Sequence, residues 1–152
     1  MKLSCDVIAA LQGRTLVTAE SCTGGGIGAE LTAVPGSSKV YKGGIISYTN
    51  EVKIRQLGVK AETLDREGAV SALVAEEMAS GARNTLRADV AVSVTGLAGP
   101  DGDEFGNPVG TVFIGYSDKH GTISKRFLFS GDRDAVRQQA VQAALQLILE
   151  FN

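Results

Sequence analysis

One stretch restricts the fold more than any other: residues 15 to 31, reading TLVTAESCTGGGIGAEL. Thr15, Leu16, Val17, Thr18 and Ala19 form a short apolar run with β-branched residues, which predicts a buried strand. The chain then turns polar at Glu20, Ser21, Cys22 and Thr23, passes Gly24, Gly25 and Gly26, and resumes with Ile27 and Leu31 at helical spacing. A strand ending in hydroxyl and thiol groups, then glycines, then a helix, presents the free N–H groups of the helix's first turn to the strand end. Glycines let that backbone approach a ligand closely. If one residue here is a nucleophile, Ser21 or Cys22 stands where a helix N-terminus stabilises developing negative charge.

Plainer readings compete. A tight βα turn without chemistry is common in α/β domains. Gly24, Gly26 and Ala29 also fit the dinucleotide fingerprint G-x-G-x-x-A, which needs an acid about 20 positions on, closing the next strand. Tyr41 to Tyr48 contains no acid, and Glu51 lies beyond it. A phosphate-binding P-loop needs a Lys-Ser or Lys-Thr pair after the glycines, and none follows. The nucleophile reading survives the comparison best.

The remaining segments predict one α/β domain. Residues 3 to 12 read as a helix stopped by Gly13, and Pro35-Gly36 ends the helix after the glycines. Lys39 to Thr49 reads as a strand whose internal Gly43-Gly44 marks a bulge or a close backbone approach. Asn50 is a candidate cap for a short helix closed by Gly58, and 61 to 68 reads as a turn with a helical piece. A helix follows from Val70 toward Leu86, and residues 88 to 96, ADVAVSVTG, are the clearest buried strand. Residues 95 to 110 are too polar and glycine-broken for regular structure, and a loop of that length is usually functional or mobile. Two strands then flank a turn at Asp118 to Gly121, which places His120 on the surface, and Asp132 caps a last helix. Early alternation of helices and strands with a late hairpin predicts a three-layer α/β/α single domain, residues 1–152, with a mixed β-sheet.

Composition narrows the chemistry. A chain of 152 residues with formal charge −2 does not offer the basic surface that nucleic acid or an anionic membrane requires. Cys5 and Cys22 lack metal-ligand spacing, and His120 is the only histidine, so neither a zinc site nor a histidine triad is expected. The first residues, MKLSCDVIAALQG, are interrupted by Asp6 and Gln12 and do not read as a signal peptide. The expectation is a cytoplasmic protein without metal or organic cofactor, binding neither nucleic acid nor membrane.

Four blocks together carry a resemblance that no single one does: TAESCTGG at 18–25, YTNEVK at 48–53, GAVS at 68–71, and TGLAGP at 95–100 continued by PVGTV at 108–112. They resemble the CinA C-terminal domain family along nearly the whole chain. Free-standing members are nicotinamide-nucleotide amidases, which convert nicotinamide mononucleotide and water to nicotinate mononucleotide and ammonia in pyridine nucleotide salvage. Segment 101–107 is more acidic here than the glycine-rich stretch expected of the family.

The resemblance implies Ser21 as nucleophile, with Tyr48 and Lys53 completing a Ser–Tyr–Lys arrangement, and a small-molecule nucleotide as substrate. The chemistry needs such a base, because a serine hydroxyl is a poor nucleophile at neutral pH and no histidine is placed to activate it. Lysine serves only if burial or a nearby cation lowers its pKa. In this scheme the N–H groups around Thr23, Gly24 and Gly25 hold the oxyanion. Thr95, Gly96, Gly99 and Pro100 line the substrate pocket at the end of the central strand, where open α/β sheets bind ligands. Arg133 and Arg137 are candidates for the 5′-phosphate, against the plainer reading of a solvated helix start. Glu20 is an alternative base that would activate water directly. Two other functions stay open: a nucleotide- or partner-binding module without turnover, linked to competence or DNA damage, and an amidohydrolase for another small amide. A homo-oligomer is also left open.

Overall fold

The computed structural model describes residues 2–152. Five strands form one mixed sheet in the order β2-β1-β3-β4-β5. These are β1 (Leu16–Glu20), β2 (Tyr41–Ile46), β3 (Val90–Gly96), β4 (Thr111–Asp118) and β5 (Gly121–Leu128). β2, β1 and β3 run parallel, whereas β4 and β5 are antiparallel additions made by the late hairpin. Helices cover both faces. α1 (Lys2–Ala10), α2 (Gly26–Thr32) and α6 (Arg133–Glu150) pack on one side, α3 (Asn50–Leu57), α4 (Ala61–Glu67) and α5 (Ala72–Leu86) on the other. The expected three-layer α/β/α architecture with a mixed sheet is what the chain adopts.

Side-chain alternation explains how one sheet supplies two cores. Leu16, Val90, Val92, Val94, Val112, Ile114 and Tyr116 point toward α1, α2 and α6, where Val7, Leu31, Val136, Ala140 and Ile148 meet them. Val17, Ala19 and Ala91 point the other way, against Leu57, Val74 and Met78. Each fully buried Val or Leu contributes about 1.5–3 kcal/mol, so the central strands are the anchored part of the molecule. A site at their ends stands on rigid ground.

Several local readings shift. The strand predicted over 39–49 is shorter, because Ser37–Lys39 form a 3-10 turn and the pairing stops at Ile46. Its glycines do mark an irregularity: Leu16 pairs with Tyr41 but Val17 with Gly43, leaving Lys42 as the extra residue. Thr49, not Asn50, caps α3, its hydroxyl accepting from Val52 N–H at 3.3 Å. Two adjacent capping residues cannot be ranked by type alone. The 61–68 segment is a seven-residue helix rather than a turn with a helical piece. Asp132 does cap α6, accepting from Ala135 N–H at 2.9 Å, and His120 lies in the exposed β4–β5 turn.

Candidate active site

The alternation along β1 continues past its end and sorts Glu20, Ser21 and Cys22. Glu20 points to α2, Ser21 to α3, and Cys22 back into the core under α6. Cys22 is 6% exposed, and burial pushes its thiol up to about 11, against the weaker pull of Arg137 and Lys53. A thiol so held stays protonated and is a poor nucleophile.

Lys53 comes from the first turn of α3 and is 1% exposed. Its Nζ lies 3.0 Å from Ser21 Oγ, 2.9 Å from the Ser47 carbonyl oxygen and 3.3 Å from the Tyr48 carbonyl oxygen. Burial lowers the lysine from 10.5 to about 8, opposed in part by Cys22. Its place at the positive end of α3 disfavours the ammonium in the same direction. Carbonyl oxygens only accept, so they hold two N–H bonds of the amine. A neutral amine then has one lone pair left, and that direction leads to the serine hydroxyl.

Glu20 has a different task from the one weighed for it. Its carboxylate is 2% exposed and fills the N-terminus of α2. Oε1 accepts from Thr23 Oγ1 at 2.7 Å, Ile27 N–H at 2.9 Å and Gly25 N–H at 3.2 Å, and Oε2 from Gly28 N–H at 3.0 Å. A carboxylate with four donors at a helix start is a cap, held by the helix dipole and by charge-assisted hydrogen bonds. This geometry speaks against the alternative in which Glu20 activates a water at the reaction centre. Two of the amides expected to hold an oxyanion are already engaged. Gly25 N–H donates to Glu20, and Gly24 N–H to the Ser21 carbonyl at 3.1 Å. Of the three, Thr23 has its N–H left out of both interactions. The turn itself requires glycine, since Gly24 and Gly25 have φ of 57° and 102°.

A cleft of about 310 Å³ opens over Ser21 and Lys53, lined also by Thr95, Gly96, Gly99, Tyr48 and Arg133. Thr95 donates its hydroxyl to the Ala69 carbonyl at 2.8 Å, which ties β3 to the connection between α4 and α5. Pro100, in a cis bond after Gly99, does not line this cleft, and neither do Thr23, Gly24 and Gly25. Tyr48 is 60% exposed, and its hydroxyl accepts from Arg133 Nη2 at 3.1 Å. Lys53 therefore meets Tyr48 through its backbone carbonyl rather than through the phenol expected to orient it. Arg133 also donates from Nη1 to the Gly99 carbonyl at 2.6 Å and so bridges both rims of the mouth. Arg137, one turn further along α6, reaches beneath the turn instead. It donates from Nε to the Cys22 carbonyl at 3.0 Å and from Nη2 to the Thr23 carbonyl at 3.4 Å, and lies outside the cleft. It is neither a cleft cation nor a merely solvated side chain. Cys22 also borders the cleft, and Asn50, Ala69, Val70, Leu97, Ala98 and Asp101, which were not anticipated, complete the walls. Asn50 lies within the YTNEVK block, but by sequence it reads as the cap of α3, a place that Thr49 holds.

The CinA C-terminal domain family model matches residues 2–152. The chain is 49% identical over 151 residues to the nicotinamide-nucleotide amidohydrolase PncC of Escherichia coli K12, covering 97% of this chain and 92% of that one. It is 51% identical over 138 residues to a CinA-like protein of Thermosynechococcus vestitus, covering 89% of this chain but only 33% of that longer one. The chain thus spans about a third of the length of its longer relatives. Its fold superposes with a TM-score of 0.95 on the crystal structure of competence damage-inducible protein A from Klebsiella pneumoniae, at 40% identity, with 98% and 94% of the two chains covered.

Proposed function

This chain belongs to the CinA C-terminal domain family, and from that premise we propose that it hydrolyses the carboxamide of nicotinamide mononucleotide, releasing ammonia and nicotinate mononucleotide for pyridine nucleotide salvage. The observation that carries this reading is the buried Lys53 Nζ at 3.0 Å from Ser21 Oγ. The full-length similarity to a nicotinamide-nucleotide amidohydrolase supports the substrate class.

Neutral Lys53 takes the Ser21 hydroxyl proton as Oγ attacks the carboxamide carbon. The resulting ammonium gives that proton to the departing nitrogen, so the C–N bond breaks with ammonia as leaving group. An ester of nicotinate mononucleotide remains on Ser21. Lys53 then draws a proton from water, the hydroxide adds to the ester, and collapse returns the proton to Ser21 Oγ. Oxyanion stabilisation falls to the Gly96 backbone on the cleft wall, a well-placed donor being worth roughly 3–4 kcal/mol. The pyridinium charge makes the attached carbonyl more electrophilic. Arg133, at the mouth, takes the 5′-phosphate, while Arg137 fixes the turn that carries Ser21. Tyr48 lies over the mouth, where its ring packs on the substrate.

The test is ammonia release from nicotinamide mononucleotide, nicotinamide riboside, nicotinamide and glutamine. Preference for the mononucleotide is expected. Turnover of free nicotinamide alone would move the substrate class, and no turnover of any would leave a binding module.

A further inference from the structure

Among the acids of segment 101–104, only one faces the reaction cleft. The Asp103 carboxylate is consumed within its own loop, accepting from Phe105 N–H at 3.1 Å, Asn107 N–H at 2.9 Å and Asn107 Nδ2 at 2.8 Å. The same Asn107 amide ties the loop to the Val70 carbonyl at 3.0 Å. Glu104 lines a neighbouring hollow with Asp65 and Phe105. Asp101 is the sole carboxylate in the walls of the cleft, and no hydrogen bond or ion pair among the described residues engages it.

Asp101 is also well held. Two residues before it, the Gly99 carbonyl receives Arg133, and two residues after it the Asp103 hub begins. The cleft is graded in depth: Ser21, Lys53 and Thr95 are buried at its floor, while Tyr48, Asp101 and Arg133 are exposed at its rim. A nucleotide whose carboxamide reaches the floor presents ring, ribose and phosphate in that order toward the rim. An exposed carboxylate attracts a cationic ring only weakly, because water and salt screen it. At contact, its two oxygens match a vicinal diol, as acids do for the ribose of dinucleotides.

We infer that Asp101 is the residue that selects for ribose, its carboxylate accepting hydrogen bonds from the 2′- and 3′-hydroxyls of the nucleotide. This rests on the amidase reading above. Arg133 beside it then reads the phosphate, so one rim distinguishes a ribonucleotide from a bare pyridine amide.

The experiment compares ammonia release from nicotinamide mononucleotide and from its 2′,3′-dideoxyribosyl counterpart, using the full chain and its Asp101→Ala and Asp101→Asn variants. Hydrogen bonds to a charged group predict that the native chain favours the ribosyl substrate in kcat/KM by about tenfold or more. In Asp101→Ala that ratio falls to near one, and in Asp101→Asn it is intermediate. Asp101→Ala lowering both substrates equally would mean action on the cationic ring or on loop structure, and would overturn the inference. So would an unchanged ratio, or a native chain without preference. A native chain inactive on nicotinamide mononucleotide would instead remove the amidase reading itself.

Discussion

Lys53→Met tests the electrostatics of the site without any substrate. Methionine keeps much of the length and apolar bulk of the lysine stem and removes the amine. Folded, Lys53 titrates at about 8, and its ordinary value is 10.5. Below about pH 8 the folded and unfolded chains both carry the proton, and the folded chain bears the full cost of the buried charge. Between about 8 and 10.5 only the unfolded chain binds that proton, so the native protein gains stability as pH rises through this window. The gap is worth roughly 3 kcal/mol. Other groups titrate alike in both proteins and cancel in the difference. Urea unfolding of the pair at intervals from pH 7 to 10.5 therefore predicts a shift of about 3 kcal/mol in favour of the native protein. A difference that stays flat across that range would mean Lys53 titrates normally, and would refute its role as a poised base.

Ser21→Ala should abolish ammonia release, whereas Cys22→Ala keeps most of it at a stability cost of about 1–2 kcal/mol for the lost core volume. Retained activity in Ser21→Ala with loss in Cys22→Ala would transfer the nucleophile to the thiol. The rate in kcat/KM should climb with pH and level off above about 8, as neutral Lys53 accumulates, and Lys53→Arg should be nearly inactive because guanidinium stays protonated. A flat profile, or a vigorous Lys53→Arg enzyme, would place the base elsewhere. Glu20→Ala leaves three backbone amides and a hydroxyl without their acceptor and should cost about 3 kcal/mol or more in denaturant unfolding. A variant of unchanged stability would show that water replaces the carboxylate freely.

Much of the fold was readable because the central strands are continuous apolar runs and the turns carry glycine or proline. The β1 end was readable in part. Strand alternation alone predicts that Ser21 and Cys22 face opposite layers, yet it does not say which layer holds the base. Glu20 stayed open as an alternative base because an acid before three glycines has the same residue pattern whether it faces solvent or caps the helix they begin. Only the backbone path shows α2 turning back onto it. Lys53 would pass for a solvated helix lysine by type, and its burial depends on β1 ending beneath α3. Arg133 and Arg137 share a face of α6 at a spacing of four, and one turn of helix separates a residue at the mouth from one under the Ser21 turn. Tyr48 follows the last paired residue of β2, where no strand register dictates its direction, and its phenol goes out to Arg133.

The covalent mechanism requires an ester at Ser21, and hydroxylamine intercepts that ester directly. Turnover of nicotinamide mononucleotide is run with increasing hydroxylamine, and the products are separated by mass. Capture of a serine ester predicts the mononucleotide hydroxamate growing at the expense of nicotinate mononucleotide, without any fall in the rate of ammonia release, and its absence in Ser21→Ala. Nicotinate mononucleotide as the sole product at every hydroxylamine concentration, with Ser21→Ala still turning over, would contradict the covalent mechanism and leave direct attack by water.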